Sequence, residues 1–455
     1  MMPAVQEDNN KYDLAWPDER LDFFDGVFKE LSGLKDRGVF EGKNIAIVGS
    51  WNNAGEIQQL MTSLGLKLTH IADNNPNKQG VSRLGIVSQS VESLSDVENL
   101  VVLVASIWYW KEIRNQLLRL GFQENCDFYV LRGGERFTRI DRQKLLSDEA
   151  WEDYKRRAKL GYEAYLQIQE KYGGKSVWLM HQPSIGDLYI FSLFLPHALG
   201  VKSIADCDCV LVVTKNSTKK LAEILGFRYI EMITFEEAYS NWLMMMRLMG
   251  EGLNLRNAVY HGLNKLFQTL VHYSQVSFRD SFTKYVFQFP EEVEPIYPAF
   301  PKRREHVLEQ FVSHGLLPGK TVVISPYAGH FKAKISEKQW GRLISALKGK
   351  GYTVCTNCGG PEEQPLPGTE APFIELQDCV EFVETAGVFI GVRSGFCDLV
   401  CMAKCRKIVI FETGAPAGSI EYFGFESMGL GENITELVND CIHTDELIDK
   451  IANML

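Results

Sequence analysis

The sequence predicts an α/β protein made of three successive units, each built on a parallel sheet. Two observations carry this. Apolar runs over residues 43–49, 210–213 and 388–392 read as strands covered on both faces, as parallel strands are. Each run passes through a glycine or polar turn into a helix-like stretch, the alternation of βαβ units. No repeat of fixed short period accompanies it.

In the first unit, Leu21, Phe24, Val27, Phe28 and Leu31 recur at helical spacing, so residues 15–40 are expected to be helix. Residues 43–49 are the first strand and 55–64 a helix. Strand 66–72 ends at Asp73-Asn74-Asn75-Pro76, and strand 100–105 precedes a helix over 111–120. Residues 1–140 thus form an N-terminal helix and a Rossmann-like accessory domain. The turn Gly49-Ser50-Trp51-Asn52-Asn53-Ala54-Gly55 is not a GxGxxG, because Trp51 stands where close backbone approach wants a small residue. Asp73 lies where a ribose-binding acid belongs, but Asp73-Asn74-Asn75-Pro76 also reads as a plain turn. The domain is expected to hold a small nucleotide or to serve as a structural or partner-binding module. Residues 73–80 resemble a segment of small Rossmann-like domains attached to carbohydrate-modifying enzymes. Trp108-Tyr109-Trp110 reads as a stacking platform for a sugar or as aromatic burial.

Residues 141–174 read as a charged helical connector with Trp151, Tyr154, Tyr162 and Tyr165 as a packed stripe, ended by Gly173-Gly174. The second unit, 175–315, opens with strand 176–180, a loop from His181 to Asp187 and an apolar helix over 188–199. Strand 210–213, helix 219–225 and strand 227–233 follow. The methionine-rich residues 241–249 read as pocket lining or irregular core, and 253–275 as helix. Pro290, Pro295, Pro298 and Pro301 mark an interdomain crossing, and 303–314 a short helix. The third unit, 316–455, is expected to hold strand 321–326, helix 336–349, strands 352–356 and 373–376, and helix 378–386. Strand 388–392, a helix-like segment over 398–403, strand 408–411 and helix 444–454 complete it.

Composition bounds the function. A 45% hydrophobic and 23% charged chain suits a globular protein with large cores. A net charge of −10 argues against nonspecific nucleic-acid binding, which needs clustered Lys and Arg. No apolar run is long enough to suggest a membrane span, and the N-terminus lacks a signal-peptide apolar stretch. Ten cysteines in so long a chain read as reduced cytoplasmic thiols. Cys355-Thr356-Asn357-Cys358 has no second half with zinc-like spacing, and Cys397, Cys401 and Cys405 read as one buried helix face.

Two Rossmann-like units joined by a linker resemble a GT-B glycosyltransferase, with strand C-termini facing one cleft. Gln182-Pro183-Ser184-Ile185-Gly186-Asp187-Leu188 with Pro196 is similar to the opening strand-loop-helix of the heptosyltransferase-like family, where a Gly-Asp pair precedes an apolar helix. Ser325-Pro326-Tyr327-Ala328-Gly329 with Lys332, Lys334 and Trp340 is similar to the family's first donor-side loop, where a lysine approaches the donor phosphates. Residues 391–398 are similar to its donor loop. Where the family has an acidic residue, Thr, Gly and a later His, this chain has Arg393, Ser394, Gly395 and Asp398. The lysine segment slips by one residue, so Lys332 or Lys334 takes the family's place. The likeness spans residues 175–430. It implies transfer of a hexosyl or heptosyl group from a nucleotide-sugar donor to a glycan, lipid-linked or protein acceptor, without a resident cofactor. The implied place is the cytoplasm or the inner membrane surface.

Such transfer needs a base for the acceptor hydroxyl and charge to meet the leaving diphosphate. Asp187 matches the family base; its other reading is the cap of its helix. Arg393, Lys332 and Lys334, with the backbone N–H groups after Ser394-Gly395, would meet the diphosphate without a metal; Arg393 also reads as half of a structural salt bridge. Glu412 and Thr413 would contact ribose or form a plain loop, and Asp398 would hold Arg393 or orient the loop. Asp206-Cys207-Asp208 precedes a strand, the wrong side for a cleft metal. The alternative is a noncatalytic sugar-nucleotide-binding or scaffold protein on the same body. An oxidoreductase or epimerase using the first unit is a third reading, which the glycine spacing opposes.

Overall fold

Three parallel sheets and one two-stranded hairpin organise the described chain. The computed structural model describes residues 17–49, 54–106, 110–131, 148–181, 184–242, 245, 253–258, 276–289, 291–328, 334–360, 363–412 and 419–455. Two compact units result, Met1–Tyr154 with His261–Val276 and Lys155–Tyr260 with Ser277–Leu455. The architecture is α/β with Rossmann-like parallel sheets, and the second unit holds two of them.

In the first unit, α1 (Pro17–Asp36) precedes β1 (Asn44–Val48), α2 (Ala54–Ser63) and β2 (His70–Ala72). A hairpin of β3 (Ser82–Arg83) and β4 (Ile86–Val87) leads to β5 (Leu100–Val104), α3 (Trp110–Arg119) and β6 (Phe128–Val130). The sheet order is β2-β1-β5-β6, all parallel. Ala46, Val48, Val102 and Val104 meet Ile113 and Leu117 of α3 in its core. Gly49 is required here, since its φ is +72° and a β-carbon would overlap Ile113 Cδ1. The second strand is shorter than expected: residues 66–69 lie outside it, although Thr69 still bonds Ile45 through backbone and hydroxyl. Asp73 forms a turn in which Oδ1 accepts from Asn75 N–H at 2.8 Å, and Lys78 stands 3.6 Å from Oδ2. Trp51, Trp108 and Tyr109 lie outside the described residues.

The second unit starts within α4 (Asp148–Lys171) and continues through β7 (Ser176–Met180), α5 (Ile185–Leu199), β8 (Cys209–Val213), α6 (Asn216–Leu225), β9 (Tyr229–Met232) and β10 (Leu255–Asn257). The order is β10-β7-β8-β9, again parallel. β10 corrects the start of the expected helix over 253–275, of which residues 259–275 lie outside the described residues. Leu255 pairs with Val177, and the flanking Asn254 is fixed by the Tyr165 hydroxyl and by Gly174 O, so this stretch is drawn into the sheet. His261, His272, Met244, Met246 and Met249 lie outside the described residues.

After α7 (Arg304–Ser313) come β11 (Thr321–Ser325), α8 (Glu337–Gly349), β12 (Thr353–Thr356), α9 (Cys379–Ala386), β13 (Gly387–Val392), α10 (Gly395–Leu399), β14 (Arg406–Glu412), β15 (Ile434–Asn439) and α11 (Thr444–Met454). The order β12-β11-β13-β14-β15 is fully parallel. Residues 373–376 are not a strand: Phe373 is exposed, and β12 gains only an isolated bridge from Glu370. The helix after β13 also begins three residues earlier than expected, because Ser394 is its N-cap, and it ends at Leu399. Cys397, Cys401 and Cys405 are all buried, but only Cys397 lies in that helix.

Among the described residues, no helix is long and apolar enough to cross a membrane, and no group of three or more His, Cys, Asp or Glu side chains could hold a metal ion.

Candidate functional site

The site grows from the loop after β13. The strand is buried and apolar to Val392, and the N–H of Arg393 still donates to Ile410 O, so the backbone leaves the sheet in a fixed direction. The Arg393 side chain then turns inward and is 3% exposed. Its Nη1 and Nη2 donate to Asp398 Oδ2 and Oδ1 at 3.0 and 2.7 Å, a bidentate pair. Nη1 also donates to Ser394 O at 2.7 Å, and Nε to Phe423 O at 3.0 Å. The guanidinium lies 5.6 Å from the Phe423 ring centre and 5.1 Å from that of Phe425. Its donors are thus taken up by Asp398, Ser394 O and Phe423 O, and the pairing accounts for charge at both Arg393 and Asp398. Burial pushes the Asp398 carboxyl up, the Arg393 guanidinium pulls against it, and the charge of Asp187 adds to the push.

Asp187 stands in the first turn of α5. This helix is apolar on every side and buried from Gly186 to Pro196, which fixes its axis. Ser184 is the N-cap, so Asp187 is the third helical residue rather than the N-cap itself. An acid there is favoured by the helix dipole, and the side chain is 6% exposed. The turn carrying Asp187 packs directly on the loop after β13. A β-carbon on Gly395 would lie 2.7 Å from Gly186 N and 2.9 Å from Ile185 Cγ1; one on Gly186 would lie 2.9 Å from Gly395 Cα and collide with Asp398 Oδ2. Farther along, the Tyr189 hydroxyl meets the Cys401 thiol.

A second cluster sits at the C-terminal ends of β14 and β15. Lys334 Nζ stands 3.2 Å from Glu412 Oε1; the lysine side chain is 71% exposed, while Glu412 is mostly covered. Glu412 holds the Lys334 ammonium above its ordinary range. It also accepts from the Cys441 thiol at 3.6 Å, and desolvation with this contact raises that thiol. Beyond it, Asp440 accepts from the N–H groups of Ile442 and His443 and pairs with the His443 ring at 2.6 Å.

Of the residues singled out from the sequence, Asp187, Arg393, Ser394, Gly395 and Asp398 come together, and Lys334 meets Glu412. Lys332 and Thr413 lie outside the described residues. Sequence reasoning missed the contact role of Gly186 and the aromatic wall of Phe423 and Phe425. It also missed Phe278, whose ring centre lies 5.0 Å from that of Phe423. The signal for Gly186 was present as a glycine in a helical first turn; nothing local pointed to its partner.

The chain matches no protein-family model and no curated protein. Among solved structures it is similar to the glycosyl transferase family 9 protein from Veillonella parvula DSM 2008, at 11% identity over 61% of this chain and 89% of that one, with a TM-score of 0.39. It is also similar to the iron-containing dodecameric glycosyltransferase TibC from enterotoxigenic E. coli H10407, at 17% identity over 52% and 58% of the two chains and a TM-score of 0.34. E. coli heptosyltransferase WaaC with ADP matches at 12% identity over 90% and 98%, with a TM-score of 0.30.

Proposed function

We propose that this chain is a glycosyltransferase that moves a sugar from a nucleotide-sugar donor to a glycan, lipid-linked or protein acceptor, without a metal ion. The observation that carries the reading is the packing of the α5 first turn on the loop after β13, through Gly186 and Gly395. It sets an acid of one Rossmann-like half beside the donor-like loop of the other, as transfer between two bound substrates needs.

In this reading Asp187 accepts the proton of the acceptor hydroxyl. The acceptor oxygen bonds to the anomeric carbon, the bond from that carbon to the diphosphate oxygen breaks, and the nucleoside diphosphate leaves with the electron pair. Lys334 and Lys332 meet the diphosphate charge, and Glu412 with Thr413 meets the ribose. Ser394 and Gly395 shape the loop beside them. Arg393 and Asp398 build that loop; their charges are spent on each other rather than on the donor. The first unit is proposed to recruit a protein partner or to hold a small nucleotide, and the cytoplasm to be its place.

The same ion pair also favours a second reading. With Arg393 engaged and Asp187 covered, a noncatalytic sugar-nucleotide-binding or scaffold protein fits the burial equally well.

A panel of nucleotide sugars tested for transfer and hydrolysis decides between them. Asp187→Asn is expected to lower kcat by roughly 10²–10⁴-fold, the usual worth of a general base, with donor binding retained. Unchanged turnover removes Asp187 as the base. Donor binding without turnover in the unaltered chain selects the noncatalytic reading.

A further inference from the structure

We propose that Asp398 is a positioning residue for Asp187, acting across the junction between the two halves of the second unit; this rests on the glycosyltransferase reading. Both oxygens of Asp398 are held by Arg393, at 2.7 and 3.0 Å, so the carboxylate has one orientation. In that orientation Oδ2 lies against Gly186, at the place a β-carbon would occupy. Gly186 is the residue before Asp187. The carboxylate of Asp398 therefore sets the height of the turn that carries the base, and only glycine leaves room for it.

The contact is also electrostatic. The charge of Asp187 opposes ionisation of Asp398, and the interaction of two like charges is mutual. A base facing a second carboxylate holds its captured proton more firmly, which favours proton removal from an alcohol. Arg393 pulls against this push on Asp398 from the other side, while its remaining bonds go to Ser394 O and Phe423 O. The groups facing Asp398 are Arg393 in the loop, Cys397 on α10, Asp187 on α5 and Cys401 beyond α10. Tyr422 faces Asp187, and Glu436 faces Arg393.

Asp398→Asn in the full chain keeps the side-chain shape and removes the charge. On a donor that the unaltered chain turns over, kcat is expected to fall roughly ten- to a hundredfold, the scale of a small misplacement, while donor KM stays within about twofold of its starting value, as for an interaction used only in the transition state. The acid limb of the kcat–pH profile is expected to move to lower pH. A limb that stays in place while kcat falls makes Asp398 a mere structural pin and overturns the proposal.

If the variant does not fold, Arg393→Gln combined with Asp398→Asn substitutes a neutral amide pair, and the same movement is expected. Carbon-13 titration of the Asp187 carboxylate, assigned by its loss in Asp187→Asn, reads the coupling without turnover. Its midpoint is expected to fall in Asp398→Asn, and a fixed midpoint overturns the proposal. Absence of turnover in the unaltered chain, by contrast, removes only the enzyme reading.

Discussion

A β-carbon added to Gly395 would stand 2.7 Å from the backbone nitrogen of Gly186, so these two glycines bring α5 and α10 closer than any larger pair allows. A rotamer change cannot relieve this contact, because the nearest atom met is backbone. Gly395→Ala should therefore lower stability by about 1–3 kcal/mol, the usual range for overpacking. Equilibrium urea unfolding reads this as a lower midpoint with unchanged slope. Gly341→Ala supplies the contrast: it lies inside α8 with nothing within 4 Å of the added carbon, and should gain about 1 kcal/mol from helix propensity. Equal effects from both substitutions would show that the Gly186–Gly395 contact yields easily.

The Arg393–Asp398 pair is buried on both sides, at 3% and 2% side-chain exposure. Removing one partner strands the other charge in a low-dielectric interior. Arg393→Met alone should cost about 3–5 kcal/mol, whereas Arg393→Met with Asp398→Leu should recover most of it. A double-mutant cycle from denaturant midpoints gives the coupling directly. Additive losses would mean that the two charges do not depend on each other for burial.

Much of the architecture is legible because parallel strands buried on both faces leave unbroken apolar runs. β1, β7, β8, β11, β13 and β14 all announce themselves this way. The strands that escape notice lack that pattern. β15 is an edge strand with only Leu437 and Asn439 buried, and β10 has three residues, one of them an exposed arginine. At the site, residue types and chain positions are legible, but pairing is not. Arg393 reads equally as a diphosphate ligand or as half of a salt bridge until Asp398 is seen to take both of its terminal nitrogens. Gly186 and Gly395 are separated by most of the second unit, and no local signal joins them.

The turn before α11 should carry its own pH dependence. The His443 ring, with the backbone N–H groups of His443 and Ile442, holds Asp440 down to about 2, and Asp440 holds His443 above its ordinary 6.5. The depressed carboxyl contributes above its ordinary 3.8 and loses that contribution as pH falls through about 2. The raised imidazole contributes fully below 6.5 and loses it as pH rises through its folded value. The turn is therefore held best between these limits. Protection of the Ile442 and His443 amides, taken relative to their intrinsic exchange rate, should be greatest there, and Asp440→Asn should return the His443 titration toward 6.5. A His443 midpoint that ignores the substitution would break the assignment.

Lys334 offers a way to separate binding from stability. Its side chain is 71% exposed and its partner Glu412 is covered, so the ion pair faces solvent on the lysine side. Such pairs contribute about 0–1 kcal/mol, and Lys334→Ala should leave the unfolding midpoint almost unchanged. A charged hydrogen bond to a diphosphate is worth more, about 1.5–3 kcal/mol. Loss of it should weaken binding of the nucleoside diphosphate roughly tenfold or more. Calorimetric titration at two salt concentrations gives both the affinity and its salt dependence, and the variant should show the weaker dependence. Lys334→Arg, which keeps the charge, should bind nearly as the unaltered chain does. Equal affinity in all three proteins would move the diphosphate away from the Lys334–Glu412 edge, and with it the proposed direction in which the leaving group departs.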